Sequence, residues 1–143
     1  MPGCVLRVAS KPSQVEELVR VFGLTATTVF KEGQPKAPGR TVLNQSSGFN
    51  VVVSIADDIE LQARDAVRFL THHARGVGLL RRHAAFVGMS LDFGLYDRAS
   101  RDVPWPSYHL PRDLVALAGQ HGIELDLSFY GAAPERNPEQ RLH

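Results

Sequence analysis

Two stretches decide the fold of this chain: Gly88-Met-Ser-Leu-Asp-Phe-Gly-Leu-Tyr96 and Ile123-Glu-Leu-Asp-Leu-Ser-Phe-Tyr130. In both, apolar residues alternate with polar or small ones, and a period of two places alternate side chains on opposite faces of a strand. Each stretch therefore predicts a strand with one apolar face and one hydrated face. The predicted apolar face carries Met89, Leu91, Phe93, Leu95, Ile123, Leu125, Leu127 and Phe129; the hydrated face carries Ser90, Asp92, Gly94, Glu124, Asp126 and Ser128.

The rest of the chain predicts further strands and helices around these two. Val- and Leu-rich or alternating segments predict strands over 4–9, 25–31 and 49–55, and a short strand over 107–110. Helical spacing predicts a first helix that starts at a Ser13/Glu16 capping box and ends at Gly23. A long helix is predicted over 59–77, with an extra turn over 79–83, and a third helix begins at Pro111. His72, His73 and Arg75 are predicted to lie in the last turns of the long helix, with Gly76 and Gly78 ending it.

This order of elements predicts an α+β fold with a mixed, largely antiparallel sheet and three helices on one face. The first six elements follow the β-α-β-β-α-β order of ferredoxin-like folds, and a strand-helix-strand extension continues the sheet at the C-terminus. We expect a single domain over 1–131, followed by a flexible polar tail over 132–143.

Composition narrows the class of function. Sixteen Lys and Arg against fifteen Asp and Glu leave a net charge of +1, which argues against a nucleic-acid partner. The segment at the N-terminus does not resemble a signal peptide, and no run of about 18 apolar residues predicts a membrane span. Cys4 is the only cysteine, so it is expected to be a buried thiol in a reducing compartment. The chain is predicted to be cytoplasmic.

Four segments resemble a family of small bacterial proteins that is catalogued only as a domain of unknown function. They are Phe22-Gly-Leu-Thr-Ala-Thr-Thr-Val-Phe-Lys-Glu-Gly-Gln-Pro35, the strand over 47–54, the strand end over 91–97, and the segment over 108–130, which is the most specific of the four. The chain departs from the family pattern at Phe49, where a tryptophan is expected, and near Ala26, where a proline is expected. The resemblance implies an α+β fold and supplies no reaction, cofactor or catalytic residue.

The hydrated face of the sheet offers one candidate site. If the last two strands are neighbours, two carboxylates among Asp92, Glu124 and Asp126 would lie close enough to share a proton, as acid/base chemistry requires. The alternative is that these residues only hydrate the open face and discourage edge pairing.

The histidines and the Gly-rich loop give weaker signals. His72 and His73 are adjacent and splay apart on a helix, and the other histidines lack ligand spacing, so no metal site and no cofactor are predicted. The loop over 33–40 has the composition to close over a neighbouring groove. It lacks the Lys-Ser/Thr pair of a phosphate-binding loop.

The segment Pro104-Trp-Pro106 and Tyr108 offer a second candidate site. Prolines on both sides of the only tryptophan restrict the backbone, so less entropy is lost when Trp105 contacts a partner. Arg98 and Arg101, with Arg81 and Arg82, are expected to form a basic rim near the end of the fourth strand, and the first two lie beside these aromatic residues in the sequence. The alternative for these arginines is a solvated surface. The alternative is that Trp105 folds over the end of the core and Tyr108 pairs within the sheet.

Two classes of function therefore stay open. The sequence favours a small, soluble, non-catalytic binding or protein-interaction module, because its residue types and spacing indicate neither a nucleophile-base pair nor a set of metal ligands. The candidate binding surface is Arg98, Arg101, Trp105 and Tyr108. The alternative is a small enzyme that uses the carboxylates of the open sheet face. A homodimer is also predicted, since a second copy can bury an open sheet face or edge.

Overall fold

The computed structural model describes residues 3–23, 28–97 and 105–132. In chain order, the described elements are β1 (Gly3–Ser10), a single 3₁₀ turn (Pro12–Gln14), α1 (Val15–Phe22), β2 (Thr28–Phe30), β3 (Ser47–Ser54), α2 (Ile59–His72), α3 (Ala74–Arg82), β4 (Phe86–Asp97), α4 (Arg112–Gln120) and β5 (Glu124–Ala132).

One five-stranded sheet has the order β2-β3-β1-β4-β5. The pairs β2–β3, β1–β3 and β1–β4 are antiparallel, whereas β5 runs parallel to β4. A parallel neighbour needs a crossover connection, and α4 lies within it. The first four strands have the order of a ferredoxin-like sheet, so the predicted α+β fold is confirmed. Of the predicted strand-helix-strand extension, the helix (α4) and the last strand (β5) form.

The core lies between one face of the sheet and the helices. Cys4, Leu6 and Val8 of β1 alternate inward, and all four helices contribute buried residues to the same cluster. The other face of the sheet carries the alternate positions of each strand. The remaining core residues on the strands are Phe49, Val51, Met89, Leu91, Phe93, Leu95 and, just before β5, Ile123.

The long helix predicted over 59–77 is two helices. Its backbone leaves the helical region at His73, with φ −106° and ψ 20°, so α2 ends at His72. Arg75 therefore lies in the first turn of α3, and Gly76 and Gly78 lie inside α3 instead of ending a helix. At the break, the His73 ring lies 4.6 Å from the ring of Phe69 one turn earlier and 6.3 Å from the ring of Phe22 at the end of α1. Periodicity alone does not register such a break, because the apolar spacing continues across it.

Two further predictions of local structure, a helix cap and a short strand, are wrong. The Ser13/Glu16 capping box does not form, because Pro12–Gln14 is a 3₁₀ turn and α1 begins after Gln14 without a side-chain cap. Gly23 ends α1 in the left-handed conformation, at φ 80°, as predicted. The segment 107–110 forms no strand. Residues 25–27 of the predicted second strand lie outside the described residues, as does the predicted tail beyond Ala132, which itself still belongs to β5.

The apolar face of β5 is only half covered. Ile123, next to the strand, is buried and Leu125 is partly buried, but Leu127 is 42% exposed and Phe129 is 59% exposed. All four were predicted to share a dry face. β5 is the outermost strand of the sheet, so the helices cover its beginning and leave its C-terminal half open. In the described ranges, no helix has the length and apolar character needed to cross a membrane.

Candidate functional site

Trp105 is the most exposed aromatic side chain of the described residues. It is 82% exposed and is followed directly by Pro106, in a segment without regular secondary structure that leads to α4. The interpretation in which Trp105 folds over the end of the core is therefore wrong. Tyr108 lies three residues further on, so its Cα is within about 11 Å of the Trp105 Cα.

Tyr108 connects this segment to the sheet. Its hydroxyl donates a hydrogen bond to the carbonyl oxygen of Tyr96, at 2.9 Å, and its ring meets Phe129 edge-on at a centroid distance of 5.5 Å. The ring therefore packs against β5 without forming a strand ladder. Trp105, Tyr108, Leu127 and Phe129 together are named the aromatic patch. Arg98 and Arg101, the predicted rim of this surface, lie outside the described residues.

The carboxylates of the predicted acidic face lie on neighbouring strands. Asp92 and Asp126 are register partners on the parallel pair β4–β5, and Glu124 is the partner of Ser90 two positions earlier. Glu124 and Asp126 are exposed, whereas Asp92 is only 8% exposed although it belongs to the open face. This difference shows that other side chains cover Asp92.

Arg7 and Ser128 are the groups that cover Asp92. The Arg7 guanidinium lies 3.0 Å from Asp92 Oδ2, and the Ser128 hydroxyl donates to Oδ1 at 2.6 Å. Arg7 and Ser128 thus occupy both carboxylate oxygens of Asp92. This geometry favours a structural ion pair over an acid/base pair.

Sequence reasoning missed Arg7 as a member of this face. Arg7 interrupts the Val and Leu residues of β1 at a position that points away from the core, and this is the only signal in the sequence. It does not reveal that β1 lies between β3 and β4, where Arg7 is diagonal to Asp92.

Cys4 and the histidines take no part in either candidate site. Burial raises the pKa of the Cys4 thiol far above its ordinary value, and the negative charges of Asp92 and Asp65 raise it further. The expected buried thiol is confirmed, and such a thiol is a poor nucleophile. Burial lowers the pKa of His73, and the neighbouring His72 lowers it further. Within the described parts of the chain, no three His, Cys, Asp or Glu side chains are grouped as a metal site requires.

The chain was compared with protein-family models, with curated proteins and with solved structures, and none of the three comparisons finds a match. Membership of the family that the four segments resemble stays a prediction.

Proposed function

We propose that this protein is a small non-catalytic protein-interaction module, and that its contact surface is the aromatic patch. The observation that carries the proposal is the 82% exposure of Trp105, three residues before Tyr108, whose ring packs on the exposed Phe129 of β5. A large aromatic side chain that stays in water does not contribute the free energy of burial to folding. That free energy is gained instead when a partner covers the side chain.

The patch has the features of a prepared contact surface. Tyr108 is held by its hydrogen bond to Tyr96 and by the ring of Phe129 before any partner arrives. Pro106 restricts the backbone beside Trp105, so binding orders few additional torsions. Aromatic residues are enriched among the side chains that dominate binding energy at protein interfaces. The sequence adds Arg98 and Arg101 as a proposed polar rim around them.

The test compares partner binding by matched alanine variants. Ile55→Ala is the control, because Ile55 is an 88% exposed apolar residue of the β3–α2 connection and lies outside the patch. Cell extract is passed over immobilised wild-type, Trp105→Ala, Phe129→Ala and Ile55→Ala proteins, and retained proteins are quantified by mass spectrometry. We expect the same partner to be lost from both patch variants and kept by the control, with melting midpoints near that of the wild type.

Two results would contradict this proposal. If the wild type and all three variants retained the same extract proteins equally, the contact surface would lie outside the aromatic patch. A Trp105→Ala variant that unfolds at a much lower temperature would assign Trp105 a role in the fold.

The enzyme alternative rests on the register of Asp92 and Asp126. It predicts a turnover that Asp92→Asn and Asp126→Asn both abolish in a screen of substrates. The interaction proposal predicts no such turnover, so the two functions are separated by that screen. We further propose a cytoplasmic location, which the unpaired, buried Cys4 thiol supports.

A further inference from the structure

A cleft of about 580 Å³ lies on the open face of the sheet, away from the aromatic patch. Its floor is formed by β1, β3 and β4, and its walls are β2 and the connection from β2 to β3. The volume falls within the range of small-molecule sites. The lining residues are Arg7, Ala9, Thr28, Phe30, Lys36, Asn44, Gln45, Ser46, Asn50, Gly88, Met89 and Ser90.

Strand register explains both the depth and the polarity of the floor. Small residues align in one row across the sheet, where Gly48 pairs with Ala9 and Ala9 pairs with Gly88, so the surface is lowest there. The Phe30 ring at the end of this row covers Gly48. A second row, two residues away, is polar across four strands and consists of Thr28, Asn50, Arg7 and Ser90.

The loop wall is held in place by hydrogen bonds. Gly33 and Asn44 bond across the loop, from the Gly33 N–H to the Asn44 carbonyl at 2.9 Å, and the Lys36 N–H bonds to the Val42 carbonyl at 2.9 Å. The Asn44 side chain also donates to the Lys31 carbonyl, at 3.2 Å. This segment includes the loop over 33–40 for which closure over a groove was predicted, and its Lys36, Asn44, Gln45 and Ser46 do line the cleft.

The charges of the lining have one sign. Arg7 and Lys36 are cationic, and none of the lining residues is acidic. Asp92 meets Arg7 at 3.0 Å from one nitrogen, and Arg7, whose guanidinium has five N–H donors, also lines the cleft. Across the described ranges, no ion-pair partner within 4.0 Å is recorded for Lys36. Asn50 also lines the floor, although its Oδ1 is covered and carries no recorded hydrogen bond within the described residues.

We propose that this cleft binds a small organic anion through a carboxylate or phosphate group. Arg7 and Lys36 pair with the anionic group, Thr28, Asn50 and Ser90 bond to neighbouring polar atoms, and Phe30 packs against the carbon skeleton. Arginine suits this role because its fork of donors matches the planar oxygens of a carboxylate or two phosphate oxygens. The site is independent of the aromatic patch and of the proposed protein partner.

The test is a titration of the intact protein, followed by ¹H–¹⁵N NMR, with inorganic phosphate and with succinate as separate probes. We expect one of them to shift the amide signals of Arg7, Asn44 and Ser46 in a saturable way, which also decides between the phosphate and carboxylate sources. Lys36→Gln should weaken that binding about tenfold or more, as the loss of a charge-assisted bond does. Arg75→Gln, which removes an exposed cation on α3, should leave the affinity unchanged.

Arg7→Lys is a second variant, because Lys keeps a charge beside Asp92 while removing the fork of donors. We expect this variant to bind the same probe more weakly than the wild type, with a melting midpoint close to that of the wild type. Three outcomes would overturn the proposal: no saturable shift with either probe, shifts that lie outside the cleft, or equal weakening by Lys36→Gln and Arg75→Gln, which would indicate an adventitious ion only.

Discussion

At the scale of single residues, the two faces of β4 differ in character: one carries buried apolar side chains and the other carries an ion pair. Phe93 and Leu91 are fully buried beneath the helices, whereas Asp92 between them is held on the opposite face by Arg7 and Ser128. An ion pair of this kind contributes little if it is solvated, but removing one partner leaves the other uncompensated. We therefore assign the stability of this strand to its apolar side and the organisation of the open face to Asp92.

Register partners on β4 and β5 should differ sharply in their contribution to stability. Phe93→Ala is expected to lower the free energy of unfolding by about 3–5 kcal/mol, because it opens a cavity in the core. Leu127→Ala, opposite it on β5, is expected to cost about 1 kcal/mol or less, since Leu127 is already half exposed. Leu125 is partly buried, so Leu125→Ala is expected to lower the free energy of unfolding by an amount at the lower end of about 2–5 kcal/mol. Urea melts measure all three, and equal losses would contradict this packing.

The Cys4 thiol should make the folded protein sensitive to alkaline pH. Its pKa is raised by burial, so the native state keeps the proton that the unfolded state releases above the ordinary thiol pKa of about 8.5. The stability that this thiol contributes is present below that pH and is lost as the pH rises further, by about 1.4 kcal/mol per pH unit.

Comparison with Cys4→Ala isolates this effect, because the variant keeps every other titrating group. Urea melts at a series of pH values above 8 are expected to show the stability difference between the two proteins changing in favour of the variant. A constant difference across that pH range would show that the thiol ionises as readily in the folded state as in the unfolded one.

At the scale of elements, the packing of α3 depends on its glycines. Gly76 lies against Phe22 at the end of α1, where an added Cβ would come within 2.9 Å of the Phe22 carbonyl oxygen. Gly78 has space around it, since the nearest atom to an added Cβ is a nitrogen of Arg82 at 3.6 Å. Both residues lie inside the helix, so composition alone treats them alike, although only one is required for the approach of α3 to α1.

The two glycines should respond oppositely to alanine. Gly78→Ala is expected to raise the free energy of unfolding by about 0.5–1 kcal/mol, because alanine has the higher helix propensity. Gly76→Ala is expected to lower it by about 1–3 kcal/mol, since overpacking outweighs propensity there. Thermal melts of both variants provide the measurement. Stabilisation by both would show that α3 does not press on Phe22.

At the scale of the whole molecule, two surfaces are open on different faces of one sheet. Tyr108, Leu127 and Phe129 of the aromatic patch lie at the C-terminal half of β5, on the helix side, and the cationic cleft lies over β1 and β3 on the other side. A protein partner at the first and a small anion at the second would bind without competing for the same residues. β5 is also one of the two edge strands of the described sheet, and a second copy can pair with such an edge.

We expect the protein to form a homodimer through this edge. Two-fold dimers are the commonest assemblies of such chains, and β5 offers both backbone groups and the apolar side chain of Phe129. Sedimentation equilibrium at high micromolar concentration should give twice the chain mass. Phe129→Asp should give the monomer mass, whereas Ile55→Asp, on the β3–α2 connection, should keep the dimer. A monomer at every concentration would remove this prediction.

The sequence by itself determined the alternating strands β3, β4 and β5, their two faces and the α+β class, because a period of two acts between near neighbours in the chain. The same alternation placed Asp92 and Asp126 on one face, and the turn formers over 33–40 indicated a loop. Trp105 was singled out by its prolines.

Only the tertiary structure decided which strands are neighbours. The Arg7–Asp92 pair joins residues 85 positions apart in the chain, and the polar row of the cleft takes one residue from each of four strands. The exposure of Leu127 has the same origin, since it depends on how far the helices extend over β5. Local spacing encodes the conformation of a segment, whereas register and coverage arise from contacts that form only when distant segments meet.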